Sequence, residues 1–139
     1  MVIAEVAASG RLFELTPSTA KAWKLLKQAA QAEGVELQIV SAFRSIAYQA
    51  TIIRRKLEQG QDLASILKLL APPGYSEHHS GCAIDIGCPE YPRLDAQFAD
   101  TSAFLWLNAH APSFGFYLSF PPDNAFGYLY EPWHWRFCG

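Results

Sequence analysis

At 139 residues, half of them hydrophobic and 14% aromatic, the chain has the length of one domain and enough apolar side chain to bury a core, which argues against a disordered segment. Charged residues make up only 17% and the formal net charge is −2, so there is no global basic field of the kind that holds nucleic acid. No apolar run approaches the roughly 18 to 20 residues of a membrane span, the segment from Met1 to Ala7 lacks the basic start and long apolar run of an export signal, and Cys82, Cys88 and Cys138 are too few for a dense disulfide framework.

No element is assigned before Thr16. There Thr16 suits an N-cap and Pro17 the first helical position, and Ala22, Trp23, Leu26, Ala29 and Ala30 recur at helical spacing up to Gly34. From Val35 to Val40 the period changes to two, with Val35, Leu37 and Ile39 alternating against Glu36 and Gln38, which predicts a half-buried strand. It delivers Ser41-Ala42-Phe43-Arg44-Ser45 at its end. The helical period returns through Ile46, Ala50, Ile53 and Leu57 until Gly60, and a second short helix carries Leu63, Ile66, Leu67 and Leu70 before Ala71-Pro72-Pro73-Gly74 turns it into a loop.

After that loop, Cys82 to Ile86 reads as a strand with Ala83 and Asp85 on one face and Cys82, Ile84 and Ile86 on the other. Cys88 to Asp100 reads as an irregular loop. Thr101 or Ser102 caps a helix running to about Ala111 and closed by Pro112, Phe116 to Phe120 is a strand, Pro121-Pro122-Asp123-Asn124 a turn and Trp133 to Phe137 a last strand. Without repeats, low-complexity tracts or linkers, the expectation is one α+β domain over residues 1–139, a small antiparallel sheet with helices packed around it.

Chemistry concentrates in two stretches, Ser76 to Asp85 and Glu131 to Trp135. His78 and Asp85 stand seven residues apart across Gly81, which permits a sharp backbone path, and His134 on the last strand points opposite to Trp133 and Trp135. Two imidazoles and a carboxylate are metal-ligand chemistry, and a zinc site with three protein ligands leaves a fourth position for water. Glu131, three residues before His134, supplies the separate carboxylate that a hydrolytic site needs as a base.

The pattern Ser76-x-His78-x-x-Gly81-x-Ala83-x-Asp85, followed by Glu131-x-Trp133-His134, resembles the zinc signature of the VanY-type D-alanyl-D-alanine carboxypeptidases, zinc peptidases of family M15. Ser41-Ala42-Phe43-Arg44-Ser45 with Gln49 resembles the same family's S-G-Y-R-S…Q segment, so the likeness covers roughly residues 17 to 137. It implies zinc ligands His78, Asp85 and His134, a catalytic base at Glu131, and roles in substrate anchoring for Arg44, Gln49 and Ser76, with Arg44 also placed to stabilise an oxyanion. It further implies a peptidoglycan stem peptide or muropeptide as substrate and a place in the periplasm or cell envelope; the chain is expected to be a monomer. Ala42-Phe43 in place of Gly-Tyr removes a hydroxyl near Arg44, and Cys82 stands where an aliphatic residue is frequent; neither touches a ligand.

Other specificities share such a site: L,D-carboxypeptidase, D-Ala-D-Ala dipeptidase and L-Ala-D-Glu endopeptidase. A non-enzymatic, zinc-containing cell-wall-binding module is the rival of a different class, and Glu131 argues against it because a structural zinc needs no extra carboxylate. Of the remaining polar residues, His79 is expected to point away from His78 into a surface or supporting role, and His110 to serve a helix C-terminus. Cys82 is expected in the core, near Cys138 if the two motif strands pair, and Arg54-Arg55-Lys56 on a solvated helix face.

Overall fold

The computed structural model describes residues 1–139 and is α+β. A hairpin of β1 (Val2–Val6) and β2 (Leu12–Leu15) precedes α1 (Pro17–Ala32), β3 (Gln38–Ser41), α2 (Ile46–Glu58), the one-turn α3 (Leu63–Ile66), β4 (Ala83–Gly87), α4 (Ser102–His110), β5 (Phe116–Leu118) and β6 (His134–Phe137). The last four strands form one antiparallel sheet in the order β3-β4-β6-β5, and the hairpin is a second, two-stranded sheet. No helix is long and apolar enough to cross a membrane.

Each long helix starts where a hydroxyl can satisfy a free backbone N–H: Thr16 accepts from Thr19, Ser45 from Tyr48 and Thr101 from Phe104. Helix α1 buries Trp23, Leu26 and Ala30 from its inner face. Fully burying each large apolar side chain stabilises by about 1.5 to 3 kcal/mol. These residues join Phe13 and Leu15 of the hairpin, Ile84 and Ile86 of β4, Leu107 of α4 and Trp135 of β6 in one continuous core.

The hairpin was not anticipated. Its tie to the rest of the fold is Glu5, whose carboxylate accepts from Trp23 Nε1 (3.4 Å) and from the backbone N–H of Ile39 (2.9 Å) and pairs with Lys27 (2.5 Å). Because β3 is an edge strand, Glu5 occupies a donor that no neighbouring strand would use. The predicted strand at 35–40 is shifted to Gln38–Ser41, and the second short helix stops at Ile66. The segment 88–100 is less irregular than expected, since Ala96–Asp100 forms a 3-10 turn.

Cys82 is a correction: it is only half-buried, just before β4, with its sulfur 3.9 Å from Thr16 Oγ1. Strands β4 and β6 do pair, but the backbone oxygen of Cys82 accepts from Phe137, and all three thiols are free.

Candidate metal centre

Strands β4 and β6 occupy the middle of the larger sheet, and their register sets Asp85 opposite His134. On its other side Asp85 lies opposite Ser41 of β3. His78 comes from a 3-10 turn, Glu77–Ser80, not from the open loop expected. Ser76 caps that turn, its hydroxyl accepting from the backbone N–H of His78 at 3.1 Å, and Gly81 ends it at φ +74° in the left-handed region that glycine tolerates best. The reversal at Gly81 turns His78 and Asp85 toward one point.

There Asp85 Oδ1 lies 3.2 Å from His78 Nε2 and 3.0 Å from His134 Nδ1, and the three ligand atoms are within 4.8 Å of one another. A tetrahedral zinc with bonds of about 2.0 to 2.1 Å sets its ligand atoms about 3.3 Å apart, so the cluster needs only small adjustments to hold one. The far nitrogen of each ring is engaged elsewhere: His78 Nδ1 bonds the carbonyl of Ala42 at 2.8 Å, and His134 Nε2 bonds Glu77 Oε1 at 2.8 Å. Those bonds hold the ring protons and turn the ligating nitrogens inward. An N2O set at this spacing fits zinc.

Burial opposes charge on Asp85, but His78 and His134 outweigh it and hold the carboxyl well below the usual carboxylate range. On His134 burial is likewise outweighed, by bonds to Asp85 and Glu77, and the pKa rises to about 9. His78 goes the other way, lowered mainly by burial. Glu131 is buried at 4% exposure yet its carboxylate makes no hydrogen bond to protein, and burial pushes its pKa up to about 8. Glu131 lines the pocket with the three ligand residues. A bound cation lowers the pKa of such a neighbour, because opposite charge favours the ionised form.

Arg44 is buried too, and its guanidinium is spoken for: Nε donates to Ser41 Oγ (2.9 Å), Nη1 to Gln49 Oε1 (3.1 Å) and Nη2 to Asp85 Oδ2 (3.1 Å). These bonds use three of the five N–H donors of an arginine, leaving one on each terminal nitrogen. Gln49 is fully buried, accepting from Arg44 and donating to the carbonyl of Ala71 at 2.9 Å, so both ends of its amide are committed to protein. His79 points away from the cluster as expected. Its Nδ1 bonds the carbonyl of Arg44 at 2.8 Å and its Nε2 accepts from Gly74 at 3.0 Å, which ties the arginine loop to the ligand turn.

The pocket in front of this cluster has a volume of about 340 Å³, at the small end of the range for ligand sites. Tyr48, Ile52 and Lys56, four residues apart on α2, form one wall, with Phe120 and Tyr128 among the residues of the others. Lys56 therefore departs from the fully solvated face expected of it; Arg54 and Arg55 are exposed. Glu77, Ser41 and Ser119 were not singled out from the sequence. Only the adjacency of Glu77 to His78 hinted at the first, and pairing across strands and loops decides the others.

The family model described as VanY, D-alanyl-D-alanine carboxypeptidase, matches residues 13–139. The bifunctional D-Ala-D-Ala dipeptidase and D-Ala-D-Ala carboxypeptidase VanXYC of Enterococcus gallinarum is 32% identical over 130 residues, covering 90% of this chain and 67% of that protein. Among solved structures, the LdcB LD-carboxypeptidase superposes with a TM-score of 0.81 at 31% identity, over 97% of this chain and 63% of that one. A variant of the D,D-pentapeptidase VanY from a VanB-type resistance cassette, in complex with Zn(II), gives 0.77 at 28%, over 97% and 78%. Of two further curated relatives, from Bacillus subtilis and Enterococcus faecalis, the chain spans 45% and 44% of the length.

Proposed function

Because the chain belongs to the VanY family of D-alanyl-D-alanine carboxypeptidases, we propose that it is a zinc-dependent peptidase that removes the terminal D-Ala from peptidoglycan stem peptides. The observation that carries this reading is the pairing of two unlike features in one pocket. His78, Asp85 and His134 converge at metal-ligand spacing, and Glu131 stands beside them with a carboxylate that no protein group bonds. A structural metal site has no use for the second feature.

His78, Asp85 and His134 would hold zinc, which when bound would supply a Lewis acid for the scissile carbonyl and an acidified water. Glu131 takes the proton from that water and returns it to the leaving amine, a task suited to a carboxylate whose pKa lies near working pH. Arg44 holds Asp85 in place through Nη2, and its two remaining N–H groups receive the terminal carboxylate of the peptide. Gln49 and Ser41 fix the guanidinium for that contact; Gln49 thus serves the substrate through Arg44. Ser76 sets the turn that presents His78. All these residues belong to one chain, so a monomer suffices, and the family resemblance supports a place in the periplasm or cell envelope.

The likeness to an LD-carboxypeptidase gives L,D cleavage as the second reading. Mass spectrometry of muropeptides incubated with the zinc-loaded protein separates the two. The proposal expects a pentapeptide stem to lose a single terminal D-Ala, and a C-terminally amidated pentapeptide to react at least tenfold more slowly, since a hydrogen bond to a charged group contributes about 1.5 to 3 kcal/mol. Trimming of tetrapeptide stems in preference to pentapeptides would establish the L,D reading. Equal rates on acid and amide would overturn carboxypeptidase action of either kind.

A further inference from the structure

Glu77 has no part in the chemistry above, yet its side chain joins three residues around the site. Its Oε1 accepts from His134 Nε2 at 2.8 Å and from Ser119 Oγ at 2.7 Å, while Arg136 Nη1 lies 3.6 Å from Oε2. Its backbone opens the same 3-10 turn that carries His78, so one short turn supplies a ligand and the group that orients another ligand. Phe120 packs against the ring of His134, with centroids 4.9 Å apart.

We propose that Glu77 is a positioning residue of the metal centre, holding the Nε2 proton of His134 so that Nδ1 is kept for the cation, with Ser119 holding Glu77 in that place. The two histidines are treated differently. His78 donates to a neutral backbone carbonyl, whereas His134 donates to a carboxylate. A charged acceptor makes the imidazole a stronger donor to a metal and fixes its tautomer and ring orientation together. Loss of Glu77 leaves His134 with the contacts to Asp85 and Phe120, and Asp85 then draws the ring proton to Nδ1, the nitrogen the cation needs. The inference rests on the zinc centre proposed above.

The test compares wild type, Glu77→Gln, Glu77→Ala and Ser119→Ala, each stripped of metal, by chelator competition for zinc and by the visible absorption spectrum after cobalt(II) loading. Zinc affinity is expected to fall about 10- to 100-fold in Glu77→Ala. Glu77→Gln keeps an acceptor oxygen without the charge and should fall between that variant and wild type. Ser119→Ala should lose less than either, and the cobalt spectrum should change in step with affinity. Should Glu77→Ala fail to fold, the near-isosteric Glu77→Gln carries the test alone. Wild-type zinc affinity and an unchanged cobalt spectrum in the folded Glu77 variants would overturn the assignment, even if their unfolding midpoints dropped. Wild-type protein that binds no zinc would instead overturn the zinc reading itself.

Discussion

Glu131→Gln is expected to keep the fold and its zinc and to lose about 100- to 10,000-fold in turnover, the usual cost of removing a general acid-base group. The amide has almost the same shape, and the backbone of Glu131 stays tied to Phe120 and His134, so neither packing nor ligand geometry should move. What disappears is the ability to accept a proton. Because no protein group bonds the Glu131 carboxylate, the substitution breaks no structural hydrogen bond, and a loss of activity reports on chemistry alone. Turnover and zinc content measured on one preparation decide the matter: near-normal turnover would mean that another group is the base.

Arg44→Ala is expected to cost about 3 to 5 kcal/mol in the metal-free protein, the range for removing one member of a buried ion pair. Asp85 Oδ2, Gln49 Oε1 and Ser41 Oγ all lose their donor together in a region closed to solvent. Zinc should return part of that loss, because the cation compensates the Asp85 charge that Arg44 leaves unpaired. Arg44→Lys should recover little, since an ammonium is a point charge that cannot reach three separated acceptors at once. Urea unfolding with and without zinc reads both effects. A loss under about 1 kcal/mol in the metal-free variant would place the pair in the class of solvent-screened surface bridges.

Legibility in the sequence followed locality. Helices α1 and α2 are marked by a 3.6-residue period and α4 by its hydroxyl start and the proline after it, all local signals, and the three stand close to where those signals put them. Strand limits depend on partners: Ser41 enters β3 because Asp85 lies across from it, and Val35 is left out although it continues the alternation. The hairpin escaped notice because a register shift between Ile3 and Glu5 breaks its period and its outer face is largely exposed. The contacts of Glu5 that anchor it span up to 34 residues of sequence.

The same division runs through the site. The ligand set is visible because His, Asp and His carry metal chemistry in their side chains whatever surrounds them. The resemblance gives Gln49 a role in substrate anchoring, while its complete burial between Arg44 and Ala71 is not legible in a polar side chain on a helix. Glu77 carries no signal of its own in the sequence beyond standing next to His78. Its role comes from residues 42 and 57 positions away, Ser119 and His134.

Zinc titration of the metal-free protein, wild type beside His134→Ala, tests the metal centre most directly. With His134 protonated up to a pKa of about 9, its proton competes with the metal for Nδ1. Binding should therefore tighten by up to about tenfold per pH unit as pH rises toward 9, because a proton leaves for each zinc bound. The sign also holds for stability: a raised histidine pKa stabilises the metal-free fold fully below about pH 6.5, the unperturbed value, and that contribution is lost as pH rises through about 9. The account predicts one tight zinc per wild-type chain, stronger with rising pH, and no tight site in His134→Ala. Undiminished, tight zinc in His134→Ala would contradict it.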